Sequence, residues 1–286
     1  MSDTLLKEAA LLRDIVPGDA SVCTGLSRVV GWPYRAQDWE MAIGLGHGVV
    51  GCLGSQIVAT ALWWPYGEDH ATLGMIIVSP EHQGAGLGRR LMQALFAQAG
   101  ERSLMLNATV AGKPLYERLG FVVSGGIDQH QGEVLSVAAP IPGEAATFQA
   151  ARAFDLPALE RLDKAATGLA RGPLLREVLE HGEAVLLLRG GEAVGFSMMR
   201  QFGRGLVVGP VVAESDADAR ALVAYWLQGR QGQFIRIDVH TGSALSAWLE
   251  ECGLTFVDRG TSMVRGTLPV AQGPGRLHAL ASQAFG

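Results

Sequence analysis

The stretch Leu73-Gly-Met-Ile-Ile-Val-Ser-Pro-Glu-His-Gln-Gly-Ala-Gly-Leu-Gly-Arg-Arg-Leu-Met-Gln-Ala-Leu95 decides how this chain is read. Met75 to Val78 is a short apolar run that Pro80 ends, which predicts a buried strand. Leu87, Leu91 and Leu95 recur at intervals of four with Ala94 beside them, so a helix with one apolar face follows. Between strand and helix lie Gly84, Gly86 and Gly88. Glycines there let the backbone approach a ligand, and the unpaired N–H groups of the first helical turn point at it. The stretch therefore predicts an anion site made of main chain, with phosphate as the anion.

A P-loop would close with Gly-Lys-Ser/Thr, which Gly88-Arg89-Arg90 does not supply. A dinucleotide fingerprint starting at Gly84 would need a third glycine where Arg89 stands, and no acidic residue ends the next strand. The pattern Val78-x-Pro80-x-x-Gln83-x-x-Gly86-x-Gly88 instead resembles the acetyl-CoA signature Gln/Arg-x-x-Gly-x-Gly/Ala of the GNAT N-acetyltransferases. An ordinary glycine-rich turn is the plain alternative. Downstream, Leu104 to Thr109 reads as a strand beside the first. Tyr116-x-x-Leu119-Gly120-Phe121 is then similar to the closing helix of the same family, and Pro114 and Gly120 set its ends. Val134 to Ala138 is expected to be the last strand of this unit, so the resemblance covers roughly residues 1 to 138.

Ahead of the deciding stretch, Leu5 to Val16 reads as a strand before Pro17-Gly18, and Ala20 to Val30 as a helix. Trp32 to Trp39 is strongly aromatic, and its rings wall a pocket or staple a helix end. Val49 to Leu53 and Ile57 to Trp64 form a hairpin around Gly54-Ser55.

Pro140-Ile-Pro-Gly-Glu144 reads as a linker, spanning 139–145, and beyond it the chain repeats itself. Gly190-Gly191-Glu-Ala-Val194-Gly195 mirrors Gly54-Ser55-Gln-Ile-Val58-Ala59, and Gly209 to Ala213 falls where Gly74 to Val78 stood. Leu222 and Trp226 repeat Leu91 and Leu95, while Ile235 to His240 repeats Leu104 to Thr109. The fold expected is α/β (α+β), with two tandem GNAT-like domains at 1–138 and 146–286. Each would be a mostly antiparallel twisted sheet flanked by helices, with a splayed central strand pair in the first. The second copy replaces the glycine loop by Glu214-Ser-Asp-Ala-Asp-Ala219 and Tyr116 by Leu249. Three carboxylates would repel a pyrophosphate, so this copy is expected to be silent. Its Asp163 or Asp238 could meet a cationic part of a substrate. The plain reading is that Arg236 and Asp238, two apart on one strand face, neutralise each other.

The resemblance implies that the main chain at Ile76, Ile77 and Val78 pairs with the pantetheine arm of acetyl-CoA, which needs a bulge to splay the strand pair. It implies that the amides of Gln83, Gly84, Ala85, Gly86, Leu87, Gly88 and Arg89 cradle the pyrophosphate. Tyr116 is the expected general acid, because a phenol of pKa about 10 protonates a departing thiolate without being ionised at neutral pH. Asn107 is a candidate for holding the pantetheine amides, or for forming a turn. The strand positions that carry a glutamate in many relatives are Thr72 and Gly74 here, so no general base is assigned.

Composition bounds the rest. With 48% apolar and 18% charged residues the chain is rich in core, and a net charge of -5 without a basic run argues against nucleic acid. Cys23, Cys52 and Cys252 lie far apart, matching neither a disulfide framework nor a zinc site, so no metal and a cytoplasmic location are expected. The leading expectation is acetyl transfer from acetyl-CoA to a small-molecule amine. The alternatives are a non-catalytic acyl-CoA-binding regulator and a protein lysine acetyltransferase.

Overall fold

The computed structural model describes residues 10–139 and 146–286. The chain divides into two compact units, Met1–Trp64 with Leu73–Glu101, and Pro65–Thr72 with Arg102–Gly286. Compactness thus divides the chain at other points than the sequence repeat does, and the strand pairing of the second unit gives the reason. Residues before Ala10, and the linker Pro140–Glu144, lie outside the described residues.

In the first unit, strands follow the order β1 (Leu11–Asp14), β2 (His47–Leu53), β3 (Gln56–Tyr66) and β4 (His70–Val78). β3 runs on into the second unit after Trp64, and β4 enters the first at Leu73. The β2–β3 hairpin turns at Gly54 with φ +56, as its glycine predicts. Ile57 to Trp64 are all buried, so both faces of β3 are covered. The helices are α1 (Ala20–Val29), α2 (Ala36–Leu45) and α3 (Leu87–Ala99). α3 buries Leu87, Leu91 and Leu95, as the sequence spacing predicts, together with Met92 and Ala99, while Ala94 is half-buried. Of the aromatic segment, Trp39 is fully buried and donates from Nε1 to Ser27 Oγ at 3.3 Å, tying α2 to α1. That ring is a structural staple.

The second unit orders its strands β5 (Ser103–Ala108), β12 (Thr255–Arg265), β6 (Val122–Glu133), β11 (Phe234–His240), β13 (Arg276–Ala279), β10 (Gly205–Ala213), β9 (Glu192–Phe202), β8 (Gly182–Arg189) and β7 (Ala146–Ala150). Its helices are α4 (Lys113–Arg118), α5 (Leu156–Thr167), α6 (Gly172–His181), α7 (Asp216–Leu227) and α8 (Ser246–Glu251). From β7 to β12 the elements follow the order of β1 to β6, so the repeat runs from β1 to β12, with β13 added after it. The last strand of each repeat pairs with the other repeat: β12 with β5, and β6 with β11. This exchange explains why the end of the first repeat belongs to the second compact unit. Leu222, Trp226, Ile235, Ile237 and Leu249 lie in its core.

One expected strand is corrected. The first repeat closes with Val122–Glu133, and Val134–Ala138 has no strand conformation. Val134 is apolar because it is buried in the core, with its N–H donated to Gln233 O at 3.0 Å. The true strand carries Gly125 and Gly126, a weak local signal, and is fixed by ladders from β11 and β12 on its two sides. No helix of the described residues is long and apolar enough to cross a membrane.

Candidate active site

Gly84 and Gly86 both take φ +78, a conformation that side chains with Cβ rarely adopt. Nothing lies within 4 Å of where a Cβ would project from either, so shape and open access, not packing, require glycine here. Gln83 closes the loop from below by donating its Nε2 to Val78 O at 3.0 Å. Gly86 is the N-cap of α3 and caps nothing, and the first turn contains no acid. The N–H groups of that turn are therefore unclaimed by any side chain, as an anion site needs. Leu87 is buried and anchors the turn, whereas Ala85 and Arg89 are exposed. Arg90 donates to Ala10 O at 2.7 Å, so it is a structural brace. Arg89 has no such tether among the described residues.

Upstream, Met75 takes φ +50, unusual for a residue with a side chain. Its carbonyl accepts from Thr60 Oγ1 at 2.8 Å, and both residues are buried. Such backbone strain inside a strand costs about 1–3 kcal/mol. Met75 stands immediately before Ile76, Ile77 and Val78 on β4. The Thr60–Met75 contact was not legible, since nothing in the local sequence signals it.

In the second unit, β4 and β5 form a short parallel ladder, His70–Thr72 against Ser103–Met105. Asn107 follows on β5. Its Nδ2 donates to Gln283 O at 2.9 Å and its Oδ1 accepts from Ser262 Oγ at 2.7 Å, so it has a structural role within this unit. Tyr116 sits on α4, is buried, and meets Phe121 edge-on with centroids 6.0 Å apart. Desolvation pushes its phenol well above the ordinary range, keeping it protonated at neutral pH. Of the acids near these strands, Glu68 and Asp69 are exposed in a turn. Asp38 is committed to α2, accepting from Arg35 N at 2.9 Å and pairing with its guanidinium.

Comparison with known proteins follows these lines. Residues 45–123 and 159–279 each match a family described as acetyltransferase (GNAT) domain. The uncharacterized N-acetyltransferase YitH of Bacillus subtilis is 30% identical over 277 residues, covering 92% of this chain and 95% of that protein. The chain belongs to the GNAT acetyltransferase family. Solved structures share the fold: a proposed acetyltransferase from Pyrococcus horikoshii has a TM-score of 0.76 at 18% identity, over 100% of this chain and 99% of that one. A GCN5-related N-acetyltransferase from Sphaerobacter thermophilus has a TM-score of 0.62 at 16% identity, over 94% and 100%.

The second GNAT repeat is built differently at the corresponding place. Ser215 caps α7, its Oγ accepting from Asp218 N at 3.1 Å. Arg189 reaches Glu214 at 2.9 Å and Asp218 at 3.1 Å, so two of the three carboxylates are neutralised in place. The parallel β10–β11 ladder covers only Leu206–Val207 and Ile235–Arg236. Beyond it β13 enters, pairing antiparallel with both strands, Ala279 opposite Val211 and Val239. The chain itself fills this split. No local pattern in residues 266–286 announced that strand. Asp163 and Asp238 are each matched by arginine: Arg171 binds Asp163 twice at 2.6 and 3.0 Å, and Arg236 lies 2.9 Å from Asp238. The plain reading of Asp238 holds. On α6, Glu177, Glu180 and His181 come close enough for a cation, on the outer surface and away from these residues' roles.

Proposed function

We propose that this chain moves an acetyl group from acetyl-CoA to the amine of a small molecule by direct transfer. The observation that carries the reading is the uncapped, glycine-built start of α3, at the end of a strand in which Met75 takes a positive φ. Ile76, Ile77 and Val78 receive the pantetheine arm as an added strand, and the amides from Gln83 to Arg89 receive the pyrophosphate. β13 gives the precedent within the same molecule, an extended segment paired into the split of the second repeat. Asn107 keeps one amide hydrogen for a pantetheine carbonyl while the other holds Gln283.

The coenzyme supplies an acyl group activated as a thioester. The neutral amine nitrogen bonds to the acyl carbon and the C–S bond breaks. Tyr116 gives its proton to the departing sulfur, water takes the surplus proton from nitrogen, and solvent restores the phenol. The desolvation that raises the Tyr116 phenol also raises the proton affinity of a thiolate beside it, so the donor is not outmatched. Cys23, Cys52 and Cys252 are free thiols, which supports work in a reducing compartment such as the cytoplasm. Incubating the chain with acetyl-CoA and a panel of small amines should release thiol stoichiometrically with acetylated amine. Tight acetyl-CoA binding with no thiol release from any amine would turn the reading into that of a binding protein.

A further inference from the structure

A cavity of about 420 Å³ lies wholly within the second unit, a size in the ordinary range for small-molecule sites, roughly 300–1,000 Å³. Thr72 at the end of the β4–β5 ladder and Asn107 further along β5 stand on its wall. Met105, Ile127, Leu169, Met263 and Leu268 supply much of its apolar lining. No carboxylate side chain lines it, and its guanidinium is already committed. Arg171 is fully buried, with Nε and Nη2 on Asp163 and Nη1 on Gly286 O at 2.6 Å. His240, the other titratable group in the lining, is pushed below the ordinary imidazole range by desolvation and by His278.

Several polar side chains of the lining have capacity left, among them Ser124, His240 and the second amide hydrogen of Asn107. Gln283 is the one that offers an amide oxygen without a donor. Gln283 Nε2 makes only long contacts, 3.5 Å to Gln129 Oε1 and 3.5 Å to Asp238 Oδ1. Its Oε1 accepts no hydrogen bond from a described residue. Gln283 stands in the lining, and an amide oxygen suits an amine N–H.

We infer that this cavity holds the body of the acceptor, that the acceptor is an apolar amine of low basicity, and that Gln283 anchors its nitrogen. The assignment rests on the acetyl-transfer reading for the identity of the acceptor as an amine. The chemistry selects the class in two ways. A polycation entering the cavity would find no aspartate or glutamate side chain in the lining for its extra ammonium groups. A weakly basic amine arrives neutral and needs no base to become a nucleophile, in keeping with a strand that carries Thr72 and Gly74 where a glutamate could stand.

The test uses the full chain with its methionine methyls labelled by carbon-13, titrated with 4-butylaniline and with spermidine in the absence of acetyl-CoA. Met105 and Met263 line the cavity, and the other six of the eight methionines report on the rest of the molecule. The aniline should shift Met105 and Met263 selectively, and spermidine should shift neither at the same concentration. Leu169→Trp, which fills the cavity, should weaken aniline binding at least tenfold. Gln283→Glu, which adds a carboxylate, should admit spermidine while weakening the aniline; it keeps the test decisive where Leu169→Trp disturbs folding. Spermidine shifting the cavity methyls of the unaltered chain as readily as the aniline, or the aniline leaving both methyls unmoved, overturns the inference. Cavity binding without thiol release in the presence of acetyl-CoA would instead sink the acetyl-transfer reading alone.

Discussion

The starts of α3 and α7 occupy equivalent places in the two repeats and solve the same problem in opposite ways. Every helix begins with N–H groups that have no partner inside it. At α7 the chain answers from its own residues: Ser215 accepts from Asp218 N, Asp216 and Asp218 lie in the first turn, and Arg189 balances their charge. α1, α2 and α5 follow the same habit, since Asp19, Asp38 and Asp155 each accept a main-chain N–H at the turn that leads in, from Val16, Arg35 and Arg152. α6 begins instead with Pro173, which has no N–H to satisfy. At α3 there is neither cap, nor acid, nor proline, but Gly86, Leu87, Gly88 and Arg89. α8 likewise has neither side-chain cap, first-turn acid nor proline, so what sets the start of α3 apart is its exposed glycine loop with two residues at φ +78.

The contrast is broken most directly at Gly86. Gly86→Glu forces a side chain into φ +78, fills the open face and sets a carboxylate against phosphate. Acetyl-CoA affinity should fall at least a hundredfold, with far-UV dichroism unchanged. Calorimetry on the unaltered chain should give one equivalent of acetyl-CoA. A second equivalent would mean that the capped α7 start and the filled split still bind, and the comparison would fail.

Tyr116 against Leu249 sharpens it at the chemical step. Both side chains are buried on the short helix before the last strand of a repeat, but only the first can donate a proton. Tyr116→Phe keeps the ring and its contact with Phe121, so acetyl-CoA affinity should hold while turnover falls by roughly a hundredfold. Unchanged turnover where chemistry limits the rate would leave Tyr116 as a packing residue.

How much of this could be read from the sequence depends on the range of each signal. The glycine loop, the Leu87–Leu91–Leu95 face and the α4 turn are local, and each came through because spacing and turn residues act within a few positions. The repeat was legible for the same reason, segment by segment. What stayed hidden is non-local. The reciprocal placing of β12 and β6 depends on ladders between residues more than a hundred positions apart, such as Ile127 opposite Gly260. The commitment of Asp163 to Arg171, and of Asn107 to Gln283, likewise exists only once the chain has folded. Charge alone suggested that the Glu214–Ala219 loop repels phosphate. It could not show that Arg189 tames that charge and that the Asp218 amide is already taken by Ser215.

A smaller effect is expected where α7 is closed. Ser215→Ala removes a cap that makes hydrogen bonds of 3.1 and 2.8 Å with Asp218, and should destabilise the chain by about 1 kcal/mol. Denaturant unfolding of the second unit reads this directly. The stoichiometry of acetyl-CoA should stay at one per chain, because uncapping alone does not remove β13 from the split. A second binding event in this variant would show that the cap, rather than the inserted strand, is what silences the repeat.

The smallest effect concerns the acid that closes the turn into α1. Asp19 is held below the usual carboxylate range by hydrogen bonds from Arg13, at 2.7 and 2.8 Å, and from Val16 N–H at 2.9 Å. A carboxyl depressed in the folded state adds stability that is fully present above its unfolded pKa, about 3.9, and is lost as pH falls through the folded value. Because Arg13 is half exposed, solvent screens the pair, and its worth is at most about 1 kcal/mol. Asp19→Asn should therefore lower the melting temperature slightly near pH 7, and the gap to the parent should shrink as pH is taken below about 3.9. α3 carries no acid in its first turn, so no carboxylate there should add a dependence of this kind. A gap that stays constant from neutral to acid pH would mean that the shape of the side chain, not its charge, closes the turn, and the contrast between acid-closed and open helix starts would lose its electrostatic half.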